Sequence, residues 1–236
     1  MSNVKSLEPT PRLESVASAM TWTSTPTDAR QSVDTTLKVV DDLLSYMSTG
    51  QGKPSKQERA IFAAAVVFSY GVWESYAEEL AIELATKMSH QIKPSRVPEN
   101  VRKLLEDASA WELNVHPGWQ ALWVSRVKAT AKGEGENYGL NTAKVKQVSG
   151  LLKTVGVADA FKNLPQQIIP VHLKGQVTTV AAAVDELVKL RGEIVHSGTV
   201  PSSLKKHHAR EWRQFVEALA TEIDKTCRSD CASLLS

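Results

Sequence analysis

The chain has 236 residues, of which 23% are charged and 42% hydrophobic. These values are ordinary for a globular protein and exclude a disordered, collagenous or disulfide-scaffold class. With 28 Lys and Arg against 26 Asp and Glu, the formal net charge is +2, so any polyanion site has to come from local clustering of charge.

Residues 1–29 hold 13 Ser, Thr or Pro, a composition that buries too little apolar surface to offset the entropy of ordering. This stretch is expected to be a flexible lead-in, with Trp22 its one candidate for docking on the body. It lacks the apolar core of a secretory signal. From residue 30 to residue 236 a single helical domain is expected. Leu37, Val40, Leu43, Leu44 and Met47 recur at helical spacing, and Gly50 closes that segment. After the breaker Gly52-Lys53-Pro54, Ser55 and Glu58 have the spacing of a capping box. The helix they open is expected to run to about Met88. Its stretch 61–73 is apolar nearly all round, which suits the middle of a bundle. Gly71 inside it implies a kink or the close approach of another backbone.

The middle of the chain is less regular. Pro94, Pro98 and Pro117 break up short helical pieces, and residues 132–139 (KGEGENYG) read as a polar loop. Asn141 is a candidate cap for a helix through Val145, Val148, Leu151 and Leu152. Two helices close the chain. One is expected over about 175–196, stopped by Ser197-Gly198. The other is expected after Pro201, with Ser202 or Ser203 as cap, and carries Leu204, Trp212, Phe215, Val216, Leu219 and Ile223 at core spacing. No stretch alternates with period two. The expected fold class is all-α: an up-down bundle of four or more main helices with an irregular helical insert in the middle.

Signatures of phosphate-binding loops, nucleophile elbows and zinc proteases are missing. The six histidines show no zinc-ligand spacing. Cys227 and Cys231, one helical turn apart, read as reduced thiols of a cytoplasmic protein rather than a metal or disulfide site. No metal, no cofactor and no membrane span are therefore expected.

The helix over 175–196 carries the chemistry. On a wheel of 100° per residue, Val177, Val180, Val184, Leu187, Val188 and Val195 form one apolar stripe, and Arg191 falls within it. An arginine there cannot lose its charge, so it needs a carboxylate, a polar cavity or an anionic ligand. Glu74 and Glu79 of the long helix are candidates for an ion pair. His196 lies off the stripe in the last turn, where the helix dipole favours a cation; it is either a cap or a proton carrier. Beyond it, Lys205, Lys206, His207, His208, Arg210 and Arg213 form a basic run with no acidic residue between Ser197 and Arg210. That run is either a solvated face or a grip on phosphates. Trp73 and Trp212 are expected to be core anchors.

Residues 187–198, LVKLRGEIVHSG, resemble the Arg-x4-His signature of the HEPN superfamily, the higher-eukaryote and prokaryote nucleotide-binding domains. Residues 71–80, GVWESYAEEL, are similar to the early long helix of its prokaryotic RiboL-PSP-HEPN branch, and residues 137–145, NYGLNTAKV, to a mid-domain segment of the same group. The resemblance implies a homodimer whose two motifs face one cleft, and a metal-independent endoribonuclease, as in toxins and antiphage defence effectors. A cognate antitoxin or defence-system partner goes with that reading. Carried onto this chain, Arg191 would stabilise the charge on the phosphorane, and His196 would act as general base or acid. The product would be a 2′,3′-cyclic phosphate. Lys205, Lys206, His207 and Arg210 would bind RNA, and Glu193, Ser197 and Glu74 would support the site. The family commonly carries a polar residue after the arginine, where this chain has Gly192. That departure favours the alternative of a catalytically silent RNA- or nucleotide-binding or scaffolding dimer.

Overall fold

The computed structural model describes residues 22–48, 53–133 and 139–236. The expected stop at Gly50 and most of the 132–139 loop lie outside them. Eight α-helices fall within the described residues: α1 (Asp28–Ser45), α2 (Lys56–Ser89), α3 (Glu99–Leu104), α4 (Ala110–Val115), α5 (Trp119–Lys132), α6 (Val145–Lys153), α7 (Val180–Ser197) and α8 (Lys206–Leu235). Among these residues no strand forms beyond an isolated bridge between Lys174 and Val177. The fold is the expected all-α bundle, with short helices and 3-10 turns filling the middle.

Helix α2 is the axis, and α1, α5, α6, α7 and α8 all pack on it. Its start is fixed as the sequence implies. The Ser55 hydroxyl accepts from the Glu58 N–H at 3.1 Å, and the Glu58 carboxylate accepts from the Ser55 N–H at 2.8 Å. Sixteen of its 34 residues are buried, among them Phe62, Tyr70, Trp73, Tyr76, Leu80 and Leu84. By length and composition α2 could cross a bilayer, with mean hydropathy 1.3 over its most apolar 18 residues. In this fold 56% of that window is buried against other helices, as in a core helix. Gly71 neither meets another backbone among the described residues nor interrupts the helix. It is exposed, and a Cβ built there meets nothing within 4 Å.

The lead-in is not loose at its end. Residues 22–29, expected to belong to the flexible segment, are packed on the bundle. Trp22 is buried and its indole N–H donates to Gln91 at 2.7 Å. Thr27 caps α1, and its hydroxyl also donates to the Asp224 carboxylate at 2.5 Å. Arg228, one turn further along α8, donates to Asp224 at 2.7 Å and to the carbonyls of Trp22 and Thr23. A low-apolarity segment is held here by a buried ion pair as well as by the buried Trp22 and Ala29, which composition does not reveal.

Three helix starts differ from expectation. Helix α7 begins at Val180 rather than near 175, because the Thr179 hydroxyl accepts from the Ala182 N–H. Helix α8 begins at Lys206 because residues 201–204 are used in a turn, with the Leu204 N–H donating to Pro201. Helix α6 begins at Val145 rather than after Asn141. Both backbone groups of Ala143 are taken by α2: its N–H donates to the Tyr70 hydroxyl at 2.9 Å, and its carbonyl accepts from the Trp73 indole at 2.9 Å. Cys227 and Cys231 are free and buried in α8, and burial pushes the Cys231 thiol up to about 12.

Candidate functional site

Val180, Ala183, Val184, Leu187 and Val188 bury one face of α7 against the bundle. The stripe ends there. Val195, expected on it, is 47% exposed, because towards its end α7 packs on the core through Leu190 and Ile194, on the flank away from Val195. Arg191 sits at the transition, half-buried. Its guanidinium carbon lies 5.2 Å from the centre of the Tyr70 ring, and its Nε is buried without a hydrogen-bond partner among the described residues.

Tyr70 links this arginine to a carboxylate. Its hydroxyl donates to Glu74 at 2.8 Å and accepts from the Ala143 N–H. Burial pushes the phenol up to about 12. Burial likewise raises the Glu74 carboxyl above its ordinary value, opposed by the Tyr70 hydrogen bond and then by the Arg191 charge. Neither expected ion pair forms. Glu74 acts on Arg191 only through space, and exposed Glu79 accepts from the Ser75 hydroxyl at 3.3 Å instead. The three segments that carry the resemblance thus meet at Tyr70, one residue before the first of them: Glu74 accepts from its hydroxyl, Ala143 donates to it, and Arg191 lies over its ring.

His196 is exposed at the end of α7. The helix stops at Gly198, whose φ of +62° is cheap for glycine and whose N–H donates to Ile194 at 3.2 Å. The Ser197 hydroxyl donates to the Glu193 carbonyl at 2.6 Å and accepts from the Thr199 N–H at 3.1 Å, which locks the turn behind His196. Glu193 is exposed, and only its backbone enters this arrangement. A Cβ added at Gly192 meets only the His196 ring, at 4.0 Å.

The basic run divides. Lys205, Lys206 and His207 face a groove of about 1040 Å³ between the turn after α7 and the start of α2. Arg210 lies instead at a smaller hollow of about 320 Å³ beside Asp41 and Arg213. Arg213 is engaged by Asp41 at 2.8 Å and by Glu217. His208 stacks on His172 at 4.1 Å, and burial followed by the neighbouring His172 lowers it to about 4, so it adds no positive charge to the run at neutral pH. Sequence reasoning missed Tyr70, whose only signal is its place one turn before Glu74. It also missed Lys53, Lys56 and Arg59 in the wall opposite Lys205. Trp73 and Trp212 are core anchors, 0% and 1% exposed. No group of three or more His, Cys, Asp or Glu side chains is placed to hold a metal among the described residues.

An all-α bundle in which a late helix presents an arginine to the central helix, and a histidine five residues on at its open end, is a HEPN-type domain. The RiboL-PSP-HEPN family model matches residues 34–229, and the chain belongs to that family. No match was found among curated proteins or solved structures. Membership supports an HEPN-type ribonuclease or nucleotide-binding role in general terms.

Proposed function

We propose that the protein is a metal-independent endoribonuclease whose site is built from Arg191 and His196 of two copies of the chain. The observation that carries this reading is the state of Arg191. A permanent cation is held over an aromatic ring with a buried, unpartnered Nε and no ion pair among the described residues, at the base of the turn that ends in an exposed histidine. Such a guanidinium retains its capacity to bind an anion. In the reaction, the ribose 2′-oxygen attacks phosphorus and the 5′-oxygen departs, leaving a 2′,3′-cyclic phosphate. One His196 takes the 2′-hydroxyl proton, the His196 of a second copy protonates the leaving oxygen, and Arg191 binds the charged phosphorane. Cytoplasmic defence or toxin action, with a cognate antitoxin, belongs to the same proposal.

A dimer seam is supported by the surface beside the motif. Val195 on α7 is 47% exposed, and a Cβ at Gly192, three residues before it, would meet only the His196 ring at 4.0 Å. Apolar exposure next to a glycine suits the close approach of a second copy.

Gly192 supports a second reading, a silent RNA-binding dimer, because no polar side chain stands next to Arg191 in the chain. Wild type, Arg191→Ala and His196→Ala incubated with bulk RNA in EDTA separate the two. Cleavage by wild type alone, with cyclic-phosphate ends, is the result expected. RNA bound but uncut by all three establishes the silent module, and a monomer in solution defeats the composite site.

A further inference from the structure

The groove beside the motif is lined from two distant parts of the chain. One wall is the turn after α7 and the start of α8, with Gly198, Thr199, Lys205 and Lys206; the other is the start of α2, with Lys53, Lys56 and Arg59. Five cationic side chains therefore face one carboxylate, Glu58. That carboxylate is already occupied: it accepts from the Ser48 hydroxyl at 2.6 Å, the Ser48 N–H at 3.1 Å and the Ser55 N–H at 2.8 Å. None of the four lysines makes an ion pair among the described residues, and Arg59 uses one N–H to hold the Val200 carbonyl at 2.8 Å. Phe62 and Leu204 contribute an apolar floor.

We infer that this groove holds the sugar–phosphate backbone of single-stranded RNA flanking the Arg191–His196 site, with the start of α2 contributing half of the phosphate contacts. A volume of about 1040 Å³ is at the top of the usual range for a single small ligand and suits a stretch of chain. Cations on both walls over an apolar floor match a strand that shows phosphates outward and base faces inward. Continuity sets the path: Gly198, which closes the helix carrying His196, also lines the groove. His196 itself stands two residues before that wall. The inference rests on the proposed function for RNA as the occupant; the groove and its charge stand apart from whether the site cuts.

The test measures binding of a labelled oligouridylate of about 12 nucleotides, long enough to span one binding groove. His196→Ala keeps the RNA whole, and binding is read at about 50 and 200 mM salt, where counterion release is steep. In that background Lys53→Gln/Lys56→Gln is expected to weaken binding about tenfold at low salt and to reduce the slope of log K against log salt by about 1.4, the value for two lost single-strand contacts. Both lysines are exposed, so the variants keep their fold. Unchanged affinity and slope overturn the inference, as does a protein that binds no RNA. Equal displacement by oligoglutamate or by uridine monophosphate also overturns it, in favour of an acidic partner or a mononucleotide. Lysine-dependent binding without cleavage by wild type removes the nuclease and leaves the groove. Cleavage with lysine-independent binding removes the groove alone.

Discussion

The Arg191 guanidinium lies 5.2 Å from the centre of the Tyr70 ring, and the hydroxyl of that same ring donates to Glu74 at 2.8 Å. One aromatic side chain therefore does two separable things: its face holds a cation and its oxygen holds a carboxylate. Tyr70→Phe keeps the first and removes the second. It leaves Glu74 and the Ala143 N–H without their partner, at an expected cost of about 1–3 kcal/mol in urea unfolding, with Arg191 still seated. Tyr70→Leu also removes the cation–π contact, about 0.5–2 kcal/mol more. RNA cleavage per folded molecule is expected to fall further in Tyr70→Leu than in Tyr70→Phe. Equal losses would mean that the ring face does not position Arg191.

Gly192 has room. Because an added Cβ meets only the His196 ring at 4.0 Å, Gly192→Ala is expected to stabilise α7 by up to ~1 kcal/mol, raising Tm by roughly 2–4 °C. If a second copy approaches at Gly192, the same variant instead weakens dimerisation, visible as a concentration-dependent shift in sedimentation. Gly192→Asn restores a polar side chain beside Arg191 and is expected to raise cleavage; unchanged cleavage would show that this position does not limit the site.

Asp224 holds the beginning of the chain's body to its last helix. It is 1% exposed and accepts from Thr27 and Arg228, which in turn binds the Trp22 and Thr23 carbonyls. Asp224→Ala leaves the Arg228 charge buried without its partner and is expected to cost about 3–5 kcal/mol in chemical denaturation. A loss below about 1 kcal/mol would show that residues 22–29 are not fastened through this pair.

His208 sets an acid limit. Burial, then His172, His207 and Lys205, lower it to about 4 from an ordinary 6.5, against the opposing pull of Glu211. A lowered folded value means the unfolded chain binds the proton more tightly, so this contribution is complete above about pH 6.5 and is lost as pH falls toward 4. After discounting for solvent screening of a partly exposed group, about 1 kcal/mol is expected. Thermal melts at pH 7.5 and pH 5 should differ less in His208→Gln than in wild type; an equal difference would assign the acid sensitivity to other groups.

How far the sequence could be read depends on what kind of contact does the holding. Helical periodicity exposed α1, α2, α7 and α8, since burying a face imposes a repeat on the chain. The Ser55–Glu58 cap was legible because both partners lie within three residues. Arg191 and His196 stood out because each conflicts with, or ends, a periodic pattern. The docking of residues 22–29 was not legible, because Asp224 and Arg228 look like surface residues until the third dimension brings Thr27 to them. The second wall of the groove was hidden for the same reason: Lys53 and Lys56 lie about 150 residues before Lys205 and Lys206. Val195 was misplaced because the stripe was centred on Val177, whereas the face that packs is turned towards Ala183, Leu187, Leu190 and Ile194.

Helix α2 is unbroken from Lys56 to Ser89, and it carries both Arg59, which fixes the turn after the motif, and Tyr70, which seats Arg191. Eleven residues of helix set those two anchor points about 16 Å apart. One residue inserted or removed between them would swing Tyr70 by about 100° away from Arg191 while leaving Arg59 in place. This stretch therefore behaves as a ruler: it tolerates exchanged side chains but not altered length. Descendants of this chain can be expected to vary in spelling here and to gain or lose residues only in the loops.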